Sequence, residues 1–357
     1  MKPSHSIPSW TIILPIAGWL ILFAGHYITW SPFFIISAIA LIAVVLAAVY
    51  HAENIAHRVG EPYGTLVLAL AVTLIEVSLI VSLMFAGGND ASTLARDTVF
   101  SAVMIILNGM IGLSIFAGGI KFREQNFVQQ GMSAALTTLV AISVLTLILP
   151  NFTVSAPGPF YSEQQLIFVA IITLILYGTF ILVQNVRHRD HFTQTDEETD
   201  DYTIPSNKEA WLSVLFLFVC LGAVVLLAKS LAPGLESGVR SIGAPASLVG
   251  VIIAFVVLLP EGLSAYKAAR KNQLQRSLNL SLGSALATIG LTIPTVSFVS
   301  LYTHLPLSLG ISSGSTVLFL LSLFVIILSL STGKTTILQG VILLVIFGIY
   351  IFSIIFP

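Results

Sequence analysis

Residues 63–86 read YGTLVLALAVTLIEVSLIVSLMFA, and residues 244–265 read APASLVGVIIAFVVLLPEGLSA. Each stretch is long and apolar enough to cross a bilayer as a helix, which takes about 20 such residues. Each also carries one acid well inside it, Glu76 in the first and Glu261 in the second. A carboxylate in hydrocarbon is costly unless a proton or a cation neutralises it, so an acid at that depth marks a functional site. No other acidic residue lies well inside an apolar run. Two such acids, one in each half of the chain, point to a shared cation or proton site.

The rest of the chain has the same character. Of its 357 residues 56% are hydrophobic and 9% charged, with a mean hydropathy of +0.99, whereas soluble domains carry about 25% charged residues. This predicts an all-α polytopic protein embedded in a lipid bilayer. No basic run is long enough for nucleic-acid binding. The single cysteine, Cys220, excludes an internal disulfide and a cysteine-rich metal centre, and reads as a small packing residue. No His-Glu-x-x-His zinc motif, Gly-x-Ser-x-Gly elbow or P-loop occurs. The reading is of a transporter without a cofactor, not of an enzyme.

The 20-residue rule gives eleven spans, near 10–28, 32–50, 63–86, 98–119, 131–150, 161–186, 211–231, 243–266, 277–302, 311–331 and 335–356. The first segment lacks the basic n-region and cleavage motif of a signal peptide, and is expected to stay as a leading helix. With eleven spans, twelve of the fifteen basic residues fall on the side of the N-terminus; only Arg96, Lys229 and Arg240 fall opposite. That bias predicts a cytoplasmic N-terminus and an outer C-terminus in the plasma (inner) membrane. Residues 187–210 form the one long hydrophilic connection, with Asp190, Asp196, Glu197, Glu198, Asp200, Asp201 and Glu209. It reads as a solvated acidic cytoplasmic loop; a cation sensor is the alternative, although its acids lack the glycine and spacing of an EF-hand.

The two halves echo each other. Ile111-Gly112-Leu113-Ser114-Ile115 in the fourth span matches Ile289-Gly290-Leu291-Thr292-Ile293 in the ninth, and each glutamate lies one span earlier. The expected organisation is a leading helix (1–30), a first five-helix repeat (31–186), the acidic loop (187–210) and a second repeat (211–357). Five is an odd number, so the second repeat enters the membrane inverted, the signature of secondary transporters with a midplane ion site. On this reading the ion lies between the third and eighth spans.

Several residues could complete such a site. Thr73 lies three residues before Glu76 and shares its helix face, with Ser78 and Ser82 further along. Pro260 has no N–H, so the Val256 carbonyl loses its helical partner beside Glu261 and becomes a hard-cation ligand candidate. The fourth span supplies Ser101 and Asn108, and the ninth Asn279, Ser281, Ser284 and Thr288. For these, helix–helix hydrogen bonding weighs evenly with ligation. Gly118 and Gly119 read as packing or a cap. His51, Glu53, His57 and Glu61 cluster where the second span meets its loop, as a pH sensor or as ordinary interfacial side chains.

At these residues the chain resembles the ChaA-type proton antiporters of the cation/Ca2+ exchanger superfamily. The resemblance rests on His57-Arg58-Val59-Gly60-Glu61-Pro62-Tyr63-Gly64, on Ile75-Glu76-Val77-Ser78-Leu79-Ile80, and, in the second half, on Leu259-Pro260-Glu261-Gly262-Leu263 and Asn279-Leu280-Ser281-Leu282-Gly283-Ser284. It implies a leading helix with two five-helix repeats, exchanging Ca2+, Na+ or K+ for protons, with Glu76 and Glu261 binding either metal or proton. A cation channel using the same acids is the other function class, disfavoured by the inverted repeat and the lack of a repeated pore loop. The wider Ca2+/proton exchangers carry Gly-Asn-x-x-Glu in both repeats; here Thr73 and Leu258 occupy the Asn positions, and Ile106 stands where a further Asn is usual. Fewer oxygens suit a Ca2+ cage less well, which brings Na+ and K+ forward as substrates.

Overall fold

The computed structural model describes residues 7–25, 33–60, 63–192, 205–241, 243–245 and 247–356. It is almost entirely helical. In chain order the helices are α1 (Ser9–Ala24), α2 (Phe33–Val59), α3 (Tyr63–Gly87), α4 (Leu94–Phe122), α5 (Gln129–Phe152), α6 (Glu163–Arg187), α7 (Asn207–Ser241), α8 (Ser247–Arg270), α9 (Leu274–Thr303), α10 (Ser313–Ser329) and α11 (Ile337–Ile355). Among the described residues nine of these are long and apolar enough to cross a membrane, while α1 and α10 are shorter. The chain is a multi-pass integral membrane protein, with these eleven helices among its described residues. A backbone in hydrocarbon must satisfy its own N–H and C=O groups, which helices do within one segment.

Two helices outrun their expected limits. Helix α2 continues to Val59, so His51, Glu53 and His57 lie on it and not in a loop; its small Ala52 and Ala56 stay buried and keep the last turns packed. Helix α7 runs 35 residues through Pro233. Four helices contain a π-helical turn: Ile105–Met110 in α4, Val144–Ile148 in α5, Val183–Arg187 in α6 and Thr288–Thr292 in α9. The turn in α4 abuts the repeated Ile-Gly-Leu motif and the one in α9 overlaps it.

The helices gather into two compact units. The first contains α1, α2, α3 as far as Ala86, and α7. Helices α1, α2 and α7 pack closely on one another. Gly18 of α1 faces Val44 and Leu227, Gly222 faces the Trp19 ring, and Gly234 faces the Phe34 ring. Small residues that let backbones approach drive packing where lipid is as apolar as leucine. The outer faces carry Ile13, Leu20, Phe23, Leu215 and Phe218, all exposed, as a lipid-facing surface requires.

The second unit contains α4–α6 and α8–α11. Helices α4 and α11 run antiparallel with backbones in contact. A Cβ at Gly340 would lie 2.5 Å from the Phe116 nitrogen, and one at Gly119 2.8 Å from the Ile337 nitrogen. A short antiparallel pair, β1 (Glu124–Asn126) with β2 (Lys334–Thr336), ties the end of α4 to the start of α11. Gly118 lies directly under the Gln125 side chain. Both glycines of the pair 118–119 therefore serve close packing.

Candidate functional site

Glu261 is buried, 7% exposed, in the middle of α8, one residue after Pro260. Helix α8 packs on α4 and α9. A Cβ at Gly250 would lie 3.1 Å from the backbone of Asp97 and Thr98, and one at Gly262 3.5 Å from Met110 Cγ. Residue numbers rise together along the contact, so α4 and α8 run in the same direction, as two even-numbered helices of an alternately crossing chain must. Gly262 thereby sets the Glu261 turn against the π-helical segment of α4. The helix cannot hydrogen-bond the Val256 carbonyl through residue 260, because proline has no N–H.

Ser101 and Asn108 of α4 turn elsewhere. Ser101 Oγ accepts a 2.9 Å hydrogen bond from the Tyr350 hydroxyl of α11 and donates to the Asp97 carbonyl at 2.5 Å. Asn108, fully buried, donates to Ser322 Oγ of α10 at 3.0 Å and to the Met104 carbonyl at 3.3 Å. Both side chains join helices within the unit. In α9, Asn279 donates to the Phe192 carbonyl at 2.5 Å and accepts from Gln275 Nε2 at 3.0 Å, so it fastens the end of α6 to the start of α9.

Ser281 stands differently. It is fully buried, and its hydroxyl has no hydrogen-bond partner among the described residues. Ser277, one turn earlier, shares both properties, and so does Thr98 of α4 beside Gly250. Several helical hydroxyls return to the carbonyl four residues back, as those of Thr73, Thr138, Ser143, Thr146, Ser297 and Thr303 do. A buried hydroxyl held off the backbone is an oxygen available to a water or an ion. Spacing four before Ser281 could have singled out Ser277 in the sequence; Thr98 is found only through its contact with Gly250. Ser284 is half-buried and Thr288 buried, on the same side of α9.

In the first unit Glu76 is 4% exposed within α3, and Thr73, equally buried, donates to the Ala69 carbonyl at 2.8 Å. Ser78 and Ser82 are half-buried. The histidine cluster divides. His51 is fully buried where α2 meets α1 and α7: Nε2 lies 3.1 Å from the Thr11 carbonyl, Nδ1 3.2 Å from Ser213 Oγ, and the ring stacks on Phe216. The carbonyl can only accept, so Nε2 carries the proton and Nδ1 accepts from Ser213, whose oxygen accepts from Asn54 at 2.7 Å. His57 is exposed on the last turn of α2 and Glu53 half-buried. Glu61, Pro62 and the acids Asp196 to Asp201 fall outside the described residues.

Comparison with known proteins gives a consistent picture. The sodium/calcium exchanger protein family model matches residues 30–186 and 212–356. A putative ionic transporter of Sinorhizobium fredii is 42% identical, covering 98% of this chain and 96% of its own length. The sodium-potassium/proton antiporter ChaA of Escherichia coli is 36% identical over 99% of this chain and 98% of its own. Among solved structures, the Ca2+/H+ antiporter YfkE superimposes with a TM-score of 0.75 at 20% identity, covering 97% of this chain and 99% of that one.

Proposed function

The chain belongs to the sodium/calcium exchanger family, and on that footing we propose that it is a secondary active antiporter exporting Ca2+, Na+ or K+ in exchange for protons by alternating access. The relatives' named activities support cation/proton exchange. The observation that carries the assignment to residues is the burial of one carboxyl, Glu76 or Glu261, within a helix long and apolar enough to span a membrane in each half of the sequence.

Glu76 and Glu261 bind a cation or protons, not both at once. A buried carboxyl is tolerated with either partner, and either partner excludes the other from the same oxygens. That competition is the coupling. The Val256 carbonyl and the hydroxyls of Ser281, Ser284 and Thr288 support Glu261 with neutral oxygens, and Thr73 stands beside Glu76. Ser101 and Asn279, already hydrogen-bonded to Tyr350 and Phe192, serve the site by holding its helices. An all-oxygen set with few carboxylates suits Na+ or K+ as readily as Ca2+. The two glutamates belong to repeats 31–186 and 211–357, after a leading helix at 1–30 and separated by the acidic loop 187–210. The basic-residue bias places the N-terminus in the cytoplasm and the C-terminus outside the inner membrane.

Everted vesicles carrying the protein, energised to an acid interior and given Ca2+, Na+ and K+ in turn, test this. Saturable proton release on cation addition is expected. Cation flux that neither saturates nor moves protons would replace the antiporter with a channel.

Because residues 187–210 have the composition of a solvated linker, neutralising Asp196, Glu197, Glu198, Asp200 and Asp201 together should leave maximal flux within about twofold of wild type, the size of a typical surface-charge effect. Any change should appear in the cation or pH dependence. Abolished transport by a correctly inserted variant would make the loop part of the transport machinery.

A further inference from the structure

The second unit gathers cations at one end that the transport site does not use. The turn from α4 into β1, the turn between α8 and α9, and β2 before α11 meet there. Lys121 Nζ donates to the Arg270 carbonyl at 3.0 Å. Gln125, buried, donates to the Ala269 carbonyl at 2.9 Å and to Asn272 Oδ1 at 3.1 Å, and the Val128 N–H donates to Gln275 Oε1 at 2.6 Å. The β1–β2 register sets Asn126 opposite Lys334.

These ties bring Lys121, Arg123, Lys267, Arg270, Lys271, Arg276 and Lys334 to one end of the unit, all exposed, with Glu124 as the acid among them. Lys121, Arg123, Lys267, Arg270, Lys271 and Lys334 make no ion pair with any described residue. Arg96, in the same unit, shows the opposite treatment: it pairs with Asp97 at 2.7 Å and donates to the Gly310 carbonyl at 2.8 Å, so its charge is consumed inside the protein. The patch lies at the ends of membrane-spanning helices, the depth of phospholipid phosphates. Lysine and arginine there are attracted to anionic headgroups. Positions held by a buried glutamine and a strand pair also lose less freedom on binding than a mobile loop would.

We propose that this end of the second unit is a docking surface for anionic phospholipid headgroups, with Lys267, Arg270 and Lys271 of the α8–α9 turn at its centre and Lys121, Arg123 and Lys334 around them. The phosphodiester accepts hydrogen bonds from the ammonium and guanidinium groups, and the acyl chains lie along the exposed apolar sides of the helices, such as Ile120, Leu263 and Ile337.

The test uses the full-length protein in detergent, titrated with phosphatidylglycerol or phosphatidylcholine and read by native mass spectrometry. Phosphatidylglycerol should bind more tightly, and the preference should shrink at high ionic strength, as an exposed electrostatic contact is screened. Each charge removed should weaken phosphatidylglycerol binding about fivefold, so Lys267→Gln/Arg270→Gln/Lys271→Gln should lose about a hundredfold and Lys271→Gln alone about fivefold. Lys267→Arg/Lys271→Arg, which keeps the charge, should bind as wild type. Equal retention of the two lipids, or undiminished phosphatidylglycerol binding by the triple and the single variants, would overturn the proposal. Displacement of the lipid by an equal concentration of inorganic phosphate would also overturn it, since the surface would then be a free-anion site.

Discussion

Glu76→Gln and Glu261→Gln should each reduce cation-driven proton flux by about two to three decades while leaving membrane insertion and thermal stability near wild type. Glutamine fills the same space and can hydrogen-bond, but it neither carries the charge that balances a bound cation nor releases a proton. Leaving one member of a buried charge pair without its partner costs about 3–5 kcal/mol, and about 1.4 kcal/mol corresponds to tenfold. The counterflow assay in vesicles reads the loss directly, and binding of the transported cation to purified protein should fall in parallel. Exchange above about a tenth of wild type in either variant would remove that glutamate from the cation and proton site. If only one variant were inactive, the two halves of the chain would be unequal and the acid of the other half structural.

Gly340→Leu should prevent stable folding of the second unit. The α4–α11 contact is backbone on backbone. Atoms near a Cβ at residue 340 include the Phe116 nitrogen at 2.5 Å, the Phe116 Cα at 2.8 Å and the Gly112 carbonyl oxygen at 3.0 Å, none of which can rotate away. Overpacking of a tight core costs about 1–3 kcal/mol even when side chains can yield, so a whole leucine here should exceed that range. Gly348→Leu, on the same helix with no atom within 4 Å of its Cβ site, should be tolerated. Fluorescence-detected gel filtration after heating separates the two. A Gly340→Leu protein as monodisperse and heat-resistant as Gly348→Leu would mean that α11 does not pack on α4 in the membrane.

The eleven helices were legible because length and apolar content alone decide them: a run such as residues 63–86 has no other stable form in lipid. Their ends were less legible. The last turns of α2 carry His51, Glu53, Asn54 and His57, a composition that reads as a loop, yet His51 is drawn inside by the Thr11 carbonyl and the Ser213 hydroxyl. The span expected near 211–231 is part of a longer helix, α7, which runs on through Pro233 to Ser241. The π-helical turns share no common composition, from Val144–Ile148, which is almost wholly apolar, to Val183–Arg187, which holds Gln184, Asn185 and Arg187. The three-residue strands were too short to signal themselves.

At the candidate site, the depth of Glu76 and Glu261 could be read from the chain because a lone acid in an apolar segment has few uses. The destinations of the neutral side chains could not. Ser101 and Ser281 have the same chemistry, yet one is committed to Tyr350 while the hydroxyl of the other has no hydrogen-bond partner among the described residues. The partner of Ser101 lies on α11, about 250 residues further along the chain, and no local feature of the sequence announces that contact.

The β1–β2 pair has a further consequence, for biosynthesis. Its strands pair Gln125 with Thr335, about two hundred residues apart. At the ribosome's pace of about 5–20 residues per second, β1 waits on the order of ten to forty seconds for its partner. When β1 emerges, α4 is the one helix of the second unit already made, and the helices that pack on it, α8, α9 and α11, are still to come. Helices α7 and α8 must pass through the insertion machinery first. The buried hydroxyls and Asn108 of α4 therefore spend that time beside lipid or the translocon, and the second unit closes only as the last helix is delivered.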